Sequence, residues 1–138
     1  MGQIIALDSM IFIYLLDEDE RFWDKVEVLF DRIESGEVKA VTSIVSVIEI
    51  LSPDKYLDDD QTKTEISRFF QETPSLAVFP VDWEISQKAA ELRRENRSLK
   101  TPDAIQLATA IVGGADVFIT NDRKLRGLKL APLKVRFI

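Results

Sequence analysis

Along the chain, short apolar runs alternate with longer stretches in which apolar residues return every three or four positions. GQIIALD has the character of a short buried strand, and SMIFIYLLD of the turn and helix that follow it. In RFWDKVEVLFDRIESG, the residues Phe22, Val26, Leu29, Phe30 and Ile33 fall on one helical stripe that stops at Gly36, where a glycine closes the helix. VKAVTS predicts a second strand leading into the apolar helix IVSVIEIL, which ends before Pro53. DKYLDDD reads as a solvated loop, and DDDQTKTEISRFFQET as an amphipathic helix. LAVFPV is the third strand, followed by a helix over WEISQKAAELRREN that Asp82 can cap. TPDAIQLATAIVGG predicts a helix with Thr101 at the cap, Pro102 at the first helical position and Gly113 at the end. ADVFIT is a fourth strand and LKVRFI an edge strand.

Strands that alternate with helices imply an α/β fold, with a central, mostly parallel sheet covered by helices on both faces. The sequence holds no repeat, low-complexity tract or long linker, and 138 residues suit a single domain spanning 1–138. The longest apolar stretch, MIFIYLL, is far short of a membrane span. The start, MGQIIALD, lacks a basic segment and a small-residue cleavage site, so a soluble cytoplasmic protein is expected.

Composition narrows the chemistry. There is no Cys and no His, which removes the usual zinc ligands and the usual near-neutral acid/base group. Acid/base or metal chemistry therefore falls to carboxylates. The net charge of −6 is unevenly spread. Residues 1–85 carry 7 Lys/Arg against 19 Asp/Glu, net −12, and residues 86–138 carry 11 against 5, net +6. Such asymmetry is a hint of nucleic-acid contact, although a charge run is more often a solvated face.

In open parallel sheets the ligand crevice lies outside the carboxyl ends of the strands, and four acidic residues follow or flank such ends. Asp8 directly follows IIAL. Asp122 follows VFIT by one residue, within the polar run Thr120, Asn121, Asp122. Glu49 interrupts the apolar helix SVIEIL, and Asp103 stands in the first turn of TPDAIQLATA. Each has a purely structural use as well. Asp8 can cap the helix starting near Met10, Asp103 suits the positive end of a helix dipole, and Asp122 can make a turn or cap a helix begun by RKLRG. Glu49, among Val47, Ile48, Ile50 and Leu51, must sit at the rim or be compensated by a cation, because burial without a partner costs several kcal/mol.

Converging carboxylates repel one another unless a cation sits among them. Oxygen-only ligands point to Mg²⁺ or Mn²⁺ rather than zinc. Such an ion lowers the pKa of bound water and steadies a phosphodiester under in-line attack. The hydroxyls of Ser9 and Thr120 stand beside candidate ligands and are placed to orient them.

The series IIALDSMIFIYLL, TSIVSVIEIL, TPDAIQLATA and VFITNDRKL resembles the PIN-domain ribonucleases, and in its length is most similar to VapC-type toxins of toxin-antitoxin pairs. The resemblance spans the chain from Asp8 to the final strand. It implies an α/β/α sandwich on a parallel sheet and metal-dependent cleavage of single-stranded or structured RNA. By the same resemblance Asp8, Glu49 and Asp103 form the acidic metal site, with Asp122 its fourth member and Asn121 beside it. It further implies a homodimer and an antitoxin partner whose segment enters the active-site groove. One position departs from the pattern: Met10 stands where a small polar residue, often Asn, is common, which removes a possible hydrogen bond near Asp8.

The charge asymmetry gains a use in this setting. Arg93, Arg94, Arg97 and Lys100 run up to Asp103, while Arg123, Lys124 and Arg126 follow Asp122, where RNA phosphates would need neutralising. Two other readings compete with the ribonuclease. A haloacid-dehalogenase-like phosphatase would need a second Asp at position 10. A non-catalytic RNA- or protein-binding module would keep the fold without the reaction. Phosphate-loop nucleotide binding is disfavoured, because no Gly-rich loop follows the first strand.

Overall fold

The first strand, β1 (Ile4–Leu7), sits at the middle of the molecule. A computed structural model describes residues 2–138. The further elements are α1 (Ser9–Leu16), α2 (Trp23–Glu34), β2 (Lys39–Ser43), α3 (Ile44–Leu51), α4 (Asp60–Glu72), β3 (Leu76–Phe79), α5 (Trp83–Glu95), α6 (Thr101–Val112), β4 (Val117–Thr120) and β5 (Lys134–Phe137). The five strands form one sheet in the order β3-β2-β1-β4-β5, and every pairing is parallel.

The apolar character of β1 follows from cover on both faces. Successive side chains of a strand point to opposite sides. Ile5 and Leu7 accordingly enter a core shared with α1, α2, α3 and α4, while Ala6 enters a second core shared with α5 and α6. The same alternation divides Ile119 from Phe118 in β4. The first core is rich in aromatics: the Phe12 ring, fully buried, lies 5.6 Å from Phe30 and 4.9 Å from Phe70, centre to centre. Burial of each such ring contributes about 1.5–3 kcal/mol. The sandwich is thus helix, sheet, helix, as the alternation predicts.

Local chemistry closes the helices largely where the pattern places their ends. Gly36, just beyond α2, has φ +82°, a backbone state costly for other residues. The Asp82 carboxylate accepts the Ile85 N–H at 2.9 Å and caps α5. Three details differ from expectation. Thr101 lies inside α6 rather than at its cap, because Lys100 has the extended backbone and its carbonyl accepts the first helical bond, from Ala104 N–H. Pro102 is consequently second in the helix. RKLRG makes a single 3-10 turn over Arg123–Leu125 instead of a longer helix, with Asp122 as its cap. The DKYLDDD loop contains another such turn, Asp54–Tyr56, tied down by the Lys55 ammonium against Asp17 at 2.9 Å.

The strand order fixes the site. From β1 the chain moves outward through β2 to β3, then returns across the sheet to place β4 on the other side of β1. The order reverses between β1 and β4, and in open parallel sheets the ligand site lies beyond the carboxyl ends of the strands at such a reversal.

Candidate active site

Asp8 occupies that reversal point. Its backbone N–H continues the β1–β4 ladder by donating to the Ile119 carbonyl at 3.0 Å. Its side chain caps α1, taking the Ser9 N–H at 2.8 Å on Oδ1, and takes the Thr120 hydroxyl at 2.7 Å on Oδ2. Capping and a place in the crevice are therefore the same arrangement, not alternatives. Ser9 serves Asp8 through its backbone N–H, where the sequence suggested its hydroxyl. Thr120, fully buried, also accepts the Asp122 N–H at 3.0 Å, so a single hydroxyl touches both acidic positions.

The other acids approach from separate elements. Asp103, half-buried, projects from the first turn of α6. Glu49 lies exposed on α3, which places it at the rim. Asp122 accepts the Lys124 N–H at 3.0 Å. Electrostatics link the four. Burial pushes the Asp8 carboxyl from the usual 3.8 up to about 6; the Thr120 hydroxyl and Ser9 N–H oppose this, and the charges of Asp103 and Glu49 reinforce it. Burial also raises Asp103, helped by the charge of Asp122 and opposed by Lys100 and Lys124. Among the described residues no three acidic side chains are gathered closely enough, as they stand, to hold an ion.

Around the acids, Met10 fills the departure noted in the sequence. Its Sδ accepts the Asn121 N–H at 3.0 Å and lies 3.8 Å from the Thr120 hydroxyl oxygen. A weak thioether acceptor thus replaces a polar side chain. The Asn121 side chain points away to donate to the Tyr14 hydroxyl at 3.3 Å.

The basic residues separate into different kinds. Lys100 and Lys124 act on the Asp103 carboxyl and so border the crevice. Arg93 donates to the Leu99 carbonyl at 3.1 Å, bracing the turn between α5 and α6. Arg94 and Arg97 are exposed. Arg123 and Arg126 both lie over the Phe137 ring, 4.6 and 5.0 Å from its centre.

Sequence reasoning missed three polar residues beneath the acids. Thr42 and Ser46 share a hydrogen bond of 2.7 Å, and Gln106 donates to Ser46 at 2.8 Å and to Glu49 at a long 3.4 Å. Their signal was present: each interrupts an otherwise apolar run, and all three are buried. The cation–π partner Phe137 was missed as well, because only the fold brings the final strand beside the turn after β4.

The fold and these residues define an α/β/α protein with a buried acid at the switch point of a parallel sheet, further acids whose charges act on it, and lysines that act on one of them. The family model for the PIN domain matches residues 5–129, and the chain belongs to that family. Solved structures share the fold. VapBC2 from Rickettsia felis, bound to a DNA fragment from its promoter, aligns with a TM-score of 0.70 and 16% identity over 98% of each chain. DNA-bound VapBC from Salmonella typhimurium aligns with a TM-score of 0.69 and 15% identity, over 99% of this chain and 98% of that one. A toxin-antitoxin complex from Klebsiella pneumoniae aligns with a TM-score of 0.65 and 21% identity over 94% of each. No curated protein sequence matches. Among the described residues no helix is long and apolar enough to cross a membrane.

Proposed function

We propose that this chain is a metal-dependent endoribonuclease and the toxin of a toxin-antitoxin pair. On this reading Asp8, Glu49, Asp103 and Asp122 hold Mg²⁺ or Mn²⁺ and hydrolyse RNA phosphodiester bonds. The observation that carries it is the placement of Asp8, buried at the end of β1 and held by Thr120 and the Ser9 N–H, with Glu49 on α3, Asp103 on α6 and Asp122 after β4 near enough for their charges to act on one another. A protein without a cation to place there gains nothing from such repulsion. The donor set fits a hard ion, being all oxygen, and neither His nor Cys occurs in the chain.

When bound, such an ion supplies a water of lowered pKa and neutralises charge on the phosphate. The chain's own residues do the rest. Thr120 and the Ser9 N–H hold the Asp8 carboxylate in a fixed direction. Asp103 and Asp122 face each other's charge across the crevice. Lys100 and Lys124 offer positive charge at its border to the phosphates on either side of the scissile bond. The fold likeness to chains of toxin-antitoxin complexes supports a protein antitoxin as partner. The same reading takes a homodimer as the working form and the cytoplasm as its place.

Purified protein tests this directly, with total cellular RNA as substrate and Mg²⁺ or Mn²⁺ compared with EDTA. Metal-dependent cutting that Asp103→Asn lacks, with an unchanged circular dichroism spectrum, is the expected result. No cutting and no metal binding by calorimetry would favour a binding module that keeps the fold, a reading for which Met10 beside Asn121 and Thr120 is the one hint.

A further inference from the structure

Beneath the acidic crevice runs a chain of hydrogen bonds whose direction is fixed at one end. The Thr42 hydroxyl donates to the Leu7 carbonyl at 2.9 Å. Its only proton is then spent, so in the 2.7 Å contact between Thr42 and Ser46 it is Ser46 that donates. Ser46 has no proton left for Gln106 and must accept from it, as the 2.8 Å bond from Gln106 Nε2 requires. The Leu7 carbonyl on β1 thereby dictates which way a side-chain amide on α6 points. The amino group faces α3, and its second N–H reaches Glu49 Oε1 at 3.4 Å.

This orientation has a cost. Gln106 is 3% exposed, and its Oε1 is buried with no hydrogen-bond partner. A leucine or methionine would fill the same space without stranding an acceptor. What the amide gains is a donor directed at the Glu49 carboxylate, at a long 3.4 Å. The brace joins the elements that carry three of the four acids: Leu7 precedes Asp8, Thr42 and Ser46 lie on β2 and on the α3 helix of Glu49, and Gln106 is three residues after Asp103 on α6.

We propose that Gln106 is a positioning residue, holding the otherwise exposed Glu49 carboxylate at the crevice through the Leu7–Thr42–Ser46 chain. The proposal rests on the reading of Glu49 as a metal ligand, and the test separates the two. Mn²⁺ is titrated calorimetrically into the wild-type protein, Gln106→Met, Glu49→Ala and the double variant, with folding checked by circular dichroism. Gln106→Met weakens Mn²⁺ binding by about tenfold, the effect typical of losing a residue that orients a ligand. In the Glu49→Ala background the same substitution has no further effect, whereas a merely structural role would act in both backgrounds. Unaltered affinity in Gln106→Met, or an equal loss in both backgrounds, overturns the proposal. Should the wild-type protein bind no Mn²⁺, the metal reading fails separately. The brace is then read from the Gln106 side-chain NH₂ signals in nuclear magnetic resonance spectra of metal-free protein. They shift on Glu49→Ala if the amide holds Glu49, and unchanged signals overturn the brace.

Discussion

The Thr120 hydroxyl donates to Asp8 Oδ2 at 2.7 Å and accepts the Asp122 N–H at 3.0 Å, so one oxygen at the end of β4 orders two of the four acids. Thr120→Val keeps the side-chain shape and breaks both bonds. The part-buried Asp122 N–H loses its acceptor, which costs about 1 kcal/mol. Asp8 loses the contact that most restrains its rise, so its carboxyl should titrate above about 6. Urea denaturation measures the first effect, and a carbon-detected titration of Asp8 the second. An unmoved titration would show that the hydroxyl does not hold the carboxylate.

Stability without metal should fall as the pH rises. In the folded chain Asp8 keeps its proton up to about pH 6, against the usual 3.8, so the folded state binds more protons than the unfolded one within that window. Raising the pH from 4 to 7 therefore removes up to about 3 kcal/mol from this group. Asp8→Asn, which cannot ionise, should melt above the wild-type protein at pH 7 in EDTA and lose that advantage by pH 4. Mn²⁺ should reverse the order at pH 7, and its binding should weaken as the pH drops through about 6, releasing protons when it occurs below that value.

The basic border predicts a salt response. Arg97→Glu with Lys100→Glu, and separately Lys124→Glu, should weaken the binding of a single-stranded RNA oligonucleotide. Each lost phosphate contact should flatten the plot of log affinity against log salt by about 0.7. Fluorescence anisotropy across a salt series gives the slope. Binding that stays the same in all variants would place the RNA elsewhere on the surface.

Phe137 carries two guanidinium groups on one ring. Phe137→Leu preserves an apolar edge residue but removes both cation–π contacts, each worth about 0.5–1 kcal/mol at an exposed site. The variant should lose about 1–2 kcal/mol of stability to denaturant, while Phe137→Tyr retains most of it. Equal stability of the Leu variant and the wild-type protein would mean the stacked geometry contributes nothing.

Much of the fold was legible because its cause is local. Apolar residues at helical spacing in α2 and the uninterrupted apolar strand IIAL each report the surface they must bury, and Asp82 and Gly36 mark ends through backbone chemistry of their own. The misplaced details are single-turn matters: one residue at the start of α6, and the extent of the turns at Asp54–Tyr56 and Arg123–Leu125. There a hydrogen bond more or less decides the boundary, and spacing carries no such information.

For the site, Asp8 and Asp122 were nominated because residues just beyond parallel strands share one end of the sheet, Glu49 because it interrupts an apolar helix and Asp103 because it opens one, and the family resemblance joined the four. The composition alone left oxygen as the donor and the charge asymmetry alone suggested a polyanion. Which groups act on one another was decided only by the tertiary structure. Thr120 meets Asp8 because β4 returns to lie beside β1, and Arg93 is consumed by the Leu99 carbonyl while Lys100 and Lys124 face Asp103. The direction of the Gln106 amide depends on a carbonyl 99 positions earlier in the chain, at Leu7. Periodicity records how much surface each element must hide, whereas hydrogen-bond direction and carboxylate burial depend on neighbours that only the closed sheet brings together.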